Sequence, residues 1–225
     1  YALPVSVHIS ETLTEIENCS KQYGCSPVEK LNEAGLLSDT TVAAHCVHLN
    51  DADRAILSEK GVWVVHNPSS NMKLASGFAD MQAMEKVNIR LCLGTDGAAS
   101  NNNQDMFLEM RLAAFMAKGS TLDPTVLPAS RVFHMATRNG YLASGFPECG
   151  IIEAGMKADM QIIDYDCPQM WPLGNPVSAL VYSCGPKCVE SVMINGKFVL
   201  YKHELTTLDK EKIFFQTKKT MERLK

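Results

Sequence analysis

Short apolar runs recur along the chain, each closed by a polar residue and followed by a stretch of helical periodicity. Val5 to Ile9 alternates and is β-branched, which predicts a strand. Ser10 to Tyr23 follows with Leu13, Ile16 and Cys19 on one helical stripe. Ser26-Pro27-x-Glu29 opens a second, short helix, with a capping residue before proline at the first helical position, and Gly35 ends it. Thr41 to His45 is the next strand, and Asn50 caps a helix that stops at Gly61. Val62 to His66 is a continuous apolar strand, followed by a loop over Asn67 to Asn71. Phe78 to Val87 reads as helix and Ile89 to Leu93 as strand. Met106 to Lys118 is strongly periodic through Phe107, Met110, Leu112, Ala114 and Phe115, and Leu127 to Leu142 is a further helix.

Strand and helix therefore alternate four times, and the strands are nearly all apolar, as in parallel βα units covered on both faces. An open doubly wound sheet and a piece of a closed barrel both fit. A dinucleotide fold is disfavoured, because no G-x-G-x-x-G follows any strand. After about Ser144 the texture changes. Turn and strand alternate from Gly150 to Asp164, and Val189 to Tyr201 carries Asn195-Gly196, the strongest short-range hairpin signal. The expected division is a βα unit over 1–143, a small β module over 144–206 and a closing helix over 207–225. A module of roughly 60 residues is below the size that usually folds alone.

Composition narrows the function classes. The chain has 225 residues, is 46% hydrophobic and carries a formal charge of -4, so it has no basic stripe for nucleic acid. No apolar run approaches the ~18 residues of a membrane span. Eight cysteines lie in helical and strand-like runs without framework spacing, which predicts a reduced, cytoplasmic chain. Cys184-Gly-Pro-Lys-Cys188 lacks the second pair a metal knuckle needs, and reads as two incidental thiols. The chain opens on Tyr1 almost directly in a strand, which predicts that a segment precedes it.

Polar chemistry recurs at one place in each unit: His8 with Glu11 after the first strand, His45 with His48 after the second, His66 after the third, Asp96 after the fourth. Parallel strands bring their carboxyl ends to a common rim, where ligands and catalytic groups collect. Imidazole nitrogen and carboxylate oxygen suit a catalytic divalent metal with an open position for water. Each residue also has a plainer reading. Asp96 can cap the turn that follows, and Ser100 and Asn101 can cap the next helix. His48 reads as packing and His66 as orienting a loop. His134, His203 and the methionines Met106, Met110 and Met116 read as structural.

The ordered set His8-Ile-Ser-Glu11, His45-Cys-Val-His48, His66-Asn-Pro-Ser-Ser-Asn and Gly94-Thr-Asp-Gly-Ala-Ala-Ser100 resembles the amidohydrolase superfamily. Within it, the match is to the 5-methylthioadenosine/S-adenosylhomocysteine deaminase branch. The resemblance runs from about Val5 to Tyr201. It implies an α/β fold: the second half of a (β/α)8 TIM-type barrel, with a small β-sandwich module and a C-terminal helix. It implies one divalent metal, zinc first and iron second, held by His8 and Asp96. It makes Glu11 the acid facing the purine ring and His45 the histidine beside the activated water. Asp96 can also carry the water's proton towards the departing ammonia, and Ser100 and Asn101, at the start of the next loop, can hold the purine edge. The family's H-x-H ligand pair of the first strand does not occur in this sequence, so the chain resembles the second half of the enzyme. The type of deaminase that uses H-x-E with P-C-x-x-C is excluded, since neither pattern occurs.

The expected function is hydrolytic deamination of an adenosine-type nucleoside. The expected partners are that small molecule and either further copies of the chain or a complementing N-terminal half, with no nucleic acid and no membrane. A guanine or triazine aminohydrolase is the sibling reading, against which Gly97-Ala-Ala-Ser speaks. A non-catalytic half-barrel that needs a complementing chain is the reading from another class.

Overall fold

The computed structural model describes residues 3–224; Tyr1, on which the expectation of a preceding segment rests, lies outside them. Four strands, β1 (Val5–Ile9), β2 (Thr41–His45), β3 (Trp63–His66) and β4 (Arg90–Leu93), form one sheet in that order. All three pairings are parallel. The register sets Ile9 opposite His45 and His66 opposite Leu93, so every polar strand end faces the same rim. The connections are helical: α1 (Leu13–Tyr23) and α2 (Pro27–Glu33), then α3 (Asp51–Glu59), then α4 (Pro68–Lys73) and α5 (Met81–Lys86). Ser26 and Asn50 each make a capping box, with Glu29 and Asp53 respectively, as their spacing predicts.

Ile9, Ala43, Val64 and Leu91 of the sheet are fully buried, and Val28, Leu57 and Met84 from α2, α3 and α5 belong to the same core. Burial of one such side chain stabilises the fold by roughly 1.5–3 kcal/mol. α6 (Met106–Thr121) and α7 (Ala129–Ala136) complete the core through Met110, Ala113, Ala114, Val132 and Met135.

Several elements depart from the sequence reading. The stretch over Asn67 to Asn71 is not a loop: Pro68 starts α4, for which its fixed φ is preorganised. The helix expected over Leu127 to Leu142 breaks at Thr137, whose φ of -121° and ψ of -96° are not helical, and resumes as α8 (Arg138–Ala143). In α6 the buried face runs through Glu109, Met110, Ala113, Ala114 and Ala117, whereas Phe115 is exposed. In α1 no residue is buried, and Leu13 of its apolar stripe is exposed.

A second sheet of four antiparallel strands follows: β5 (Met160–Ile163), β6 (Val189–Ile194), β7 (Lys197–Tyr201) and β8 (Glu204–Leu205). Asn195 and Gly196 take φ of 48° and 76°, the two left-handed positions of a tight hairpin turn. Asp159 accepts hydrogen bonds from the Asn195 amide and the Tyr141 hydroxyl, which ties that hairpin to α8. A helix that the pattern did not reveal, α9 (Pro176–Tyr182), sends fully buried Val181 into the main core. α10 (Lys210–Arg223) is exposed along its length. All eight cysteines are free thiols.

Candidate metal centre

The backbone turns sharply where the strands end. Ser10 (φ 53°), His45 (φ 72°), Cys46 (φ 48°) and Asp96 (φ 60°) are all left-handed, a conformation that costs a residue with a Cβ and clusters at functional sites. After β1 the turn is held by Glu15, whose two carboxylate oxygens accept the Ser10 and Glu11 amides at 2.8 Å each. After β2 the amides of Val47 and His48 both donate to the Ser10 carbonyl. These bonds lock the first two strand ends together and aim Glu11 and His45 at the rim.

Four side chains converge there. His8 Nε2 lies 3.6 Å from Asp96 Oδ1, and His45 Nε2 lies 3.7 Å from Glu11 Oε2 and 4.0 Å from Asp96 Oδ2. The two imidazole rings sit 5.0 Å apart, centre to centre. One donor atom from each of His8, His45 and Asp96 lies within 4.8 Å of the other two, and among the described residues this is the one such group of three or more. His45 is buried, whereas the His8 side chain is 65% exposed, so the cluster is open on the β1 side.

Surrounding side chains fix the orientation of these groups. The Ser70 hydroxyl donates to Asp96 Oδ2 at 2.6 Å. His45 Nδ1 lies 2.8 Å from Asn71 Oδ1, an acceptor, so Nδ1 donates there and Nε2 is the ring nitrogen turned to the rim. The Ser76 hydroxyl donates to Glu11 Oε1 at 2.9 Å, and His48 Nε2 in turn donates to the Ser76 carbonyl at 2.7 Å. Burial tends to raise the Asp96 carboxyl, but hydrogen bonds from Ser70, the Gly97 amide and Ser100, together with His45, outweigh it and hold the group below its ordinary value. Carboxylate oxygen and imidazole nitrogen are both metal-ligand atoms, so their convergence suits a cation placed between them.

Each residue singled out from the sequence now has a place. His8, Glu11, His45 and Asp96 share the rim. Ser100 stands beside Asp96, and neither it nor Asn101 caps α6, which Asp105 does with its own side chain. His48 braces Ser76, and His66 is buried at the end of β3 with Nδ1 unpaired. Burial, followed by His45, lowers the His66 pKa to about 4, so it is neutral. His134 is exposed on α7, and His203 is exposed in the turn before β8. Met110 belongs to the core, with Met106 packed against it. Sequence reasoning missed Ser70, Asn71, Ser76 and Glu109. The available signals were Pro68, which marks a helix start, and a glutamate standing beside Met110 on the apolar face of a periodic helix.

The family model described as "Amidohydrolase family" matches residues 1–199. A 5-methylthioadenosine/S-adenosylhomocysteine deaminase of Acetivibrio thermocellus is 48% identical over 98% of this chain and 51% of its own length. The protein of the same name from Dictyoglomus thermophilum is 45% identical over 97% and 51%. The chain thus spans about half the length of the curated relatives it matches. Among solved structures, an adenosine deaminase from Xanthomonas campestris with bound zinc superposes with a TM-score of 0.95, at 38% identity over 98% of this chain and 51% of that one. The atrazine chlorohydrolase of Arthrobacter aurescens, 24% identical over 97% of this chain and 48% of its own, shares the fold with a TM-score of 0.89. With a family match over residues 1–199 and relatives 45–48% identical over nearly all of its length, this α/β chain belongs to the amidohydrolase family.

Proposed function

We propose that this chain forms the second half of an eight-stranded βα barrel, with a small β-sandwich segment over 144–206, of an aminohydrolase acting on adenosine-type nucleosides. The observation that carries the reading is the convergence of His8, His45 and Asp96 donor atoms within 4.8 Å, with His45 Nε2 turned toward the rim. Two imidazoles and one carboxylate are the ligand chemistry of a zinc centre that hydrolyses carbon–nitrogen bonds. A bound zinc ion would supply the Lewis acidity that activates water at neutral pH.

The chain's own residues divide the remaining work. His8 and Asp96 would hold the ion, with His45 the third donor atom in reach. Asp96 is ionised and so has a lone pair with which to accept a proton from water, and its Ser70 bond keeps it facing the cluster. Glu11, set by Ser76 on one oxygen, keeps the other free to donate a proton to a purine ring nitrogen. Addition of hydroxide to the amino-bearing carbon would be followed by cleavage of the C–N bond, with ammonia taking the proton carried on Asp96 and the proton of the added hydroxyl returning to Glu11 as the C=O forms. His45 borders the position where oxygen charge develops. Ser100, on the loop after β4, would meet the purine edge.

The exposed side of His8 supports a second feature of this reading: the site is completed by residues outside this chain. Ammonia release from methylthioadenosine, S-adenosylhomocysteine, guanine and an aminotriazine tests it. The chain is assayed with zinc, alone and mixed with the N-terminal half of the Acetivibrio thermocellus relative. Turnover of the two adenosine derivatives by the mixture alone is the expected result. Preference for guanine or the triazine would move the substrate assignment to the sibling enzymes. No turnover in any mixture, despite formation of the complex, would refute a catalytic role.

A further inference from the structure

Glu109 is a carboxyl group with no exposed surface, placed on the core face of α6 beside Met110 and Ala113. Its two partners are neutral: the Ser69 amide donates to Oε2 at 3.0 Å and Asn101 Nδ2 donates to Oε1 at 2.7 Å. Burial raises its pKa, against the opposing effect of the Ser69 and Asn101 bonds. For stability alone, an apolar side chain of similar volume would serve better at such a position.

Both partners lead to the metal centre. Ser69 lies in the first turn of α4, next to Ser70, which holds Asp96, and Asn71, which holds His45. Asn101 lies in the loop that begins at Asp96, and its Oδ1 accepts the amides of Asn103 at 3.2 Å and Gln104 at 3.1 Å. Lys73, at the far end of α4, crosses to the same loop through the Ala99 carbonyl and Asn102 Oδ1, both at 2.6 Å. The six-residue α4 and the Asp96 loop are thus pinned to each other and to α6.

We propose that Glu109 is a positioning residue of the metal centre: its buried carboxylate fixes α4 against the Asp96 loop, and through Ser70 and Asn71 it sets the aim of Asp96 and His45. The inference rests on the metal reading above for its consequence, but its geometry can be tested without metal. Glu109→Gln preserves shape and one acceptor oxygen while setting an amide donor against one of the two N–H partners.

In the full metal-free chain, amide hydrogen exchange in E109Q is expected to quicken about tenfold or more over 67–74 and 96–104, with β1 and β2 unchanged. The ring ¹⁵N signals of His45 are expected to move from a single Nδ1–H tautomer toward a mixture. Zinc alone, titrated against a chromophoric chelator, is expected to bind about 10–100-fold more weakly, as it does when outer partners of ligands are lost. Met110→Ala, a cavity next to Glu109, should lower stability and leave the His45 signals in place. Equal effects of M110A and E109Q on His45, or exchange in E109Q that is unchanged or uniformly faster, would overturn the proposal. Should E109Q fail to fold, Asn101→Ala decides: selective loosening of 96–104 supports it, and unaltered exchange there refutes it. Zinc titration of the unaltered chain reports separately on the metal reading, so failure of one inference does not mask the other.

Discussion

Asp96 holds its charge because Ser70, Gly97, Ser100 and His45 together outweigh the effect of burial. A carboxyl with a depressed pKa stays ionised to a lower pH, and its contribution is lost only as pH falls through the folded value. Ser70→Ala removes the 2.6 Å bond to Oδ2. Zinc affinity at neutral pH should drop about tenfold, since a hydrogen bond to a charged group contributes roughly 1.5–3 kcal/mol. The pH at which zinc is released on acidification should also rise, and a chelator titration from pH 7 to pH 4 reads both. His66 is held neutral rather than charged, yet its linkage has the same sign. Its folded pKa of about 4 lies below the ordinary histidine value of about 6.5, so the unfolded chain takes up a proton first as pH falls. Stability should therefore decline between about pH 6.5 and 4, by up to about 3 kcal/mol at 1.36 kcal/mol per unit. In His66→Gln that limb should flatten in urea unfolding of the metal-free chain.

His8, His45 and Asp96 were legible because each is a polar residue closing an apolar run, and the closing position in a parallel strand has a known direction. Ser70, Asn71 and Ser76 were not. Small hydroxyl and amide side chains are as common in plain turns, and only their partners across 26 or more residues give them a role.

Among elements, α4 does the most positioning for its length. Six residues supply the bonds to Asp96, His45 and Glu109 and the lysine that reaches the Asp96 loop. Its entry is packed against β4: a Cβ on Gly94 would come within 2.6 Å of both Asn67 Oδ1 and Val65 Cγ1. Gly94→Ala should therefore displace Asn67 and cost about 1–3 kcal/mol, as overpacked sites do. Thermal unfolding checks the cost, and hydrogen exchange over 67–74 checks where the displacement goes. The sequence pattern identified this segment as a loop because six residues are too few to show helical periodicity. The break at Thr137 was hidden for the related reason that apolar spacing continues on both sides of it. α9 escaped notice in a proline-bounded stretch whose burial depends on α6 and α7.

At the scale of the molecule, the parallel sheet has two strands, β1 and β4, each paired on one side among the described residues. Unpaired strand edges are templates for association. The isolated chain should self-associate with rising concentration in sedimentation velocity, and addition of the complementary half of a relative should suppress that association. Unchanged sedimentation on mixing would remove the support for a shared barrel. Among the described residues no helix is long and apolar enough to cross a membrane.

Local chemistry determined the βα alternation, the two capping boxes, the Asn195-Gly196 turn and the polar residue at each strand end. These depend on neighbours within a few positions, where periodicity, caps and turn preferences act. Tertiary structure alone decided which residues at those strand ends converge: His8, Glu11, His45 and Asp96 do. It also decided that His45 presents Nε2 rather than Nδ1, and that a buried glutamate on α6 holds the helix that aims it. Those outcomes depend on sheet register and on hydrogen bonds between residues 26 to 40 positions apart, which no local pattern encodes.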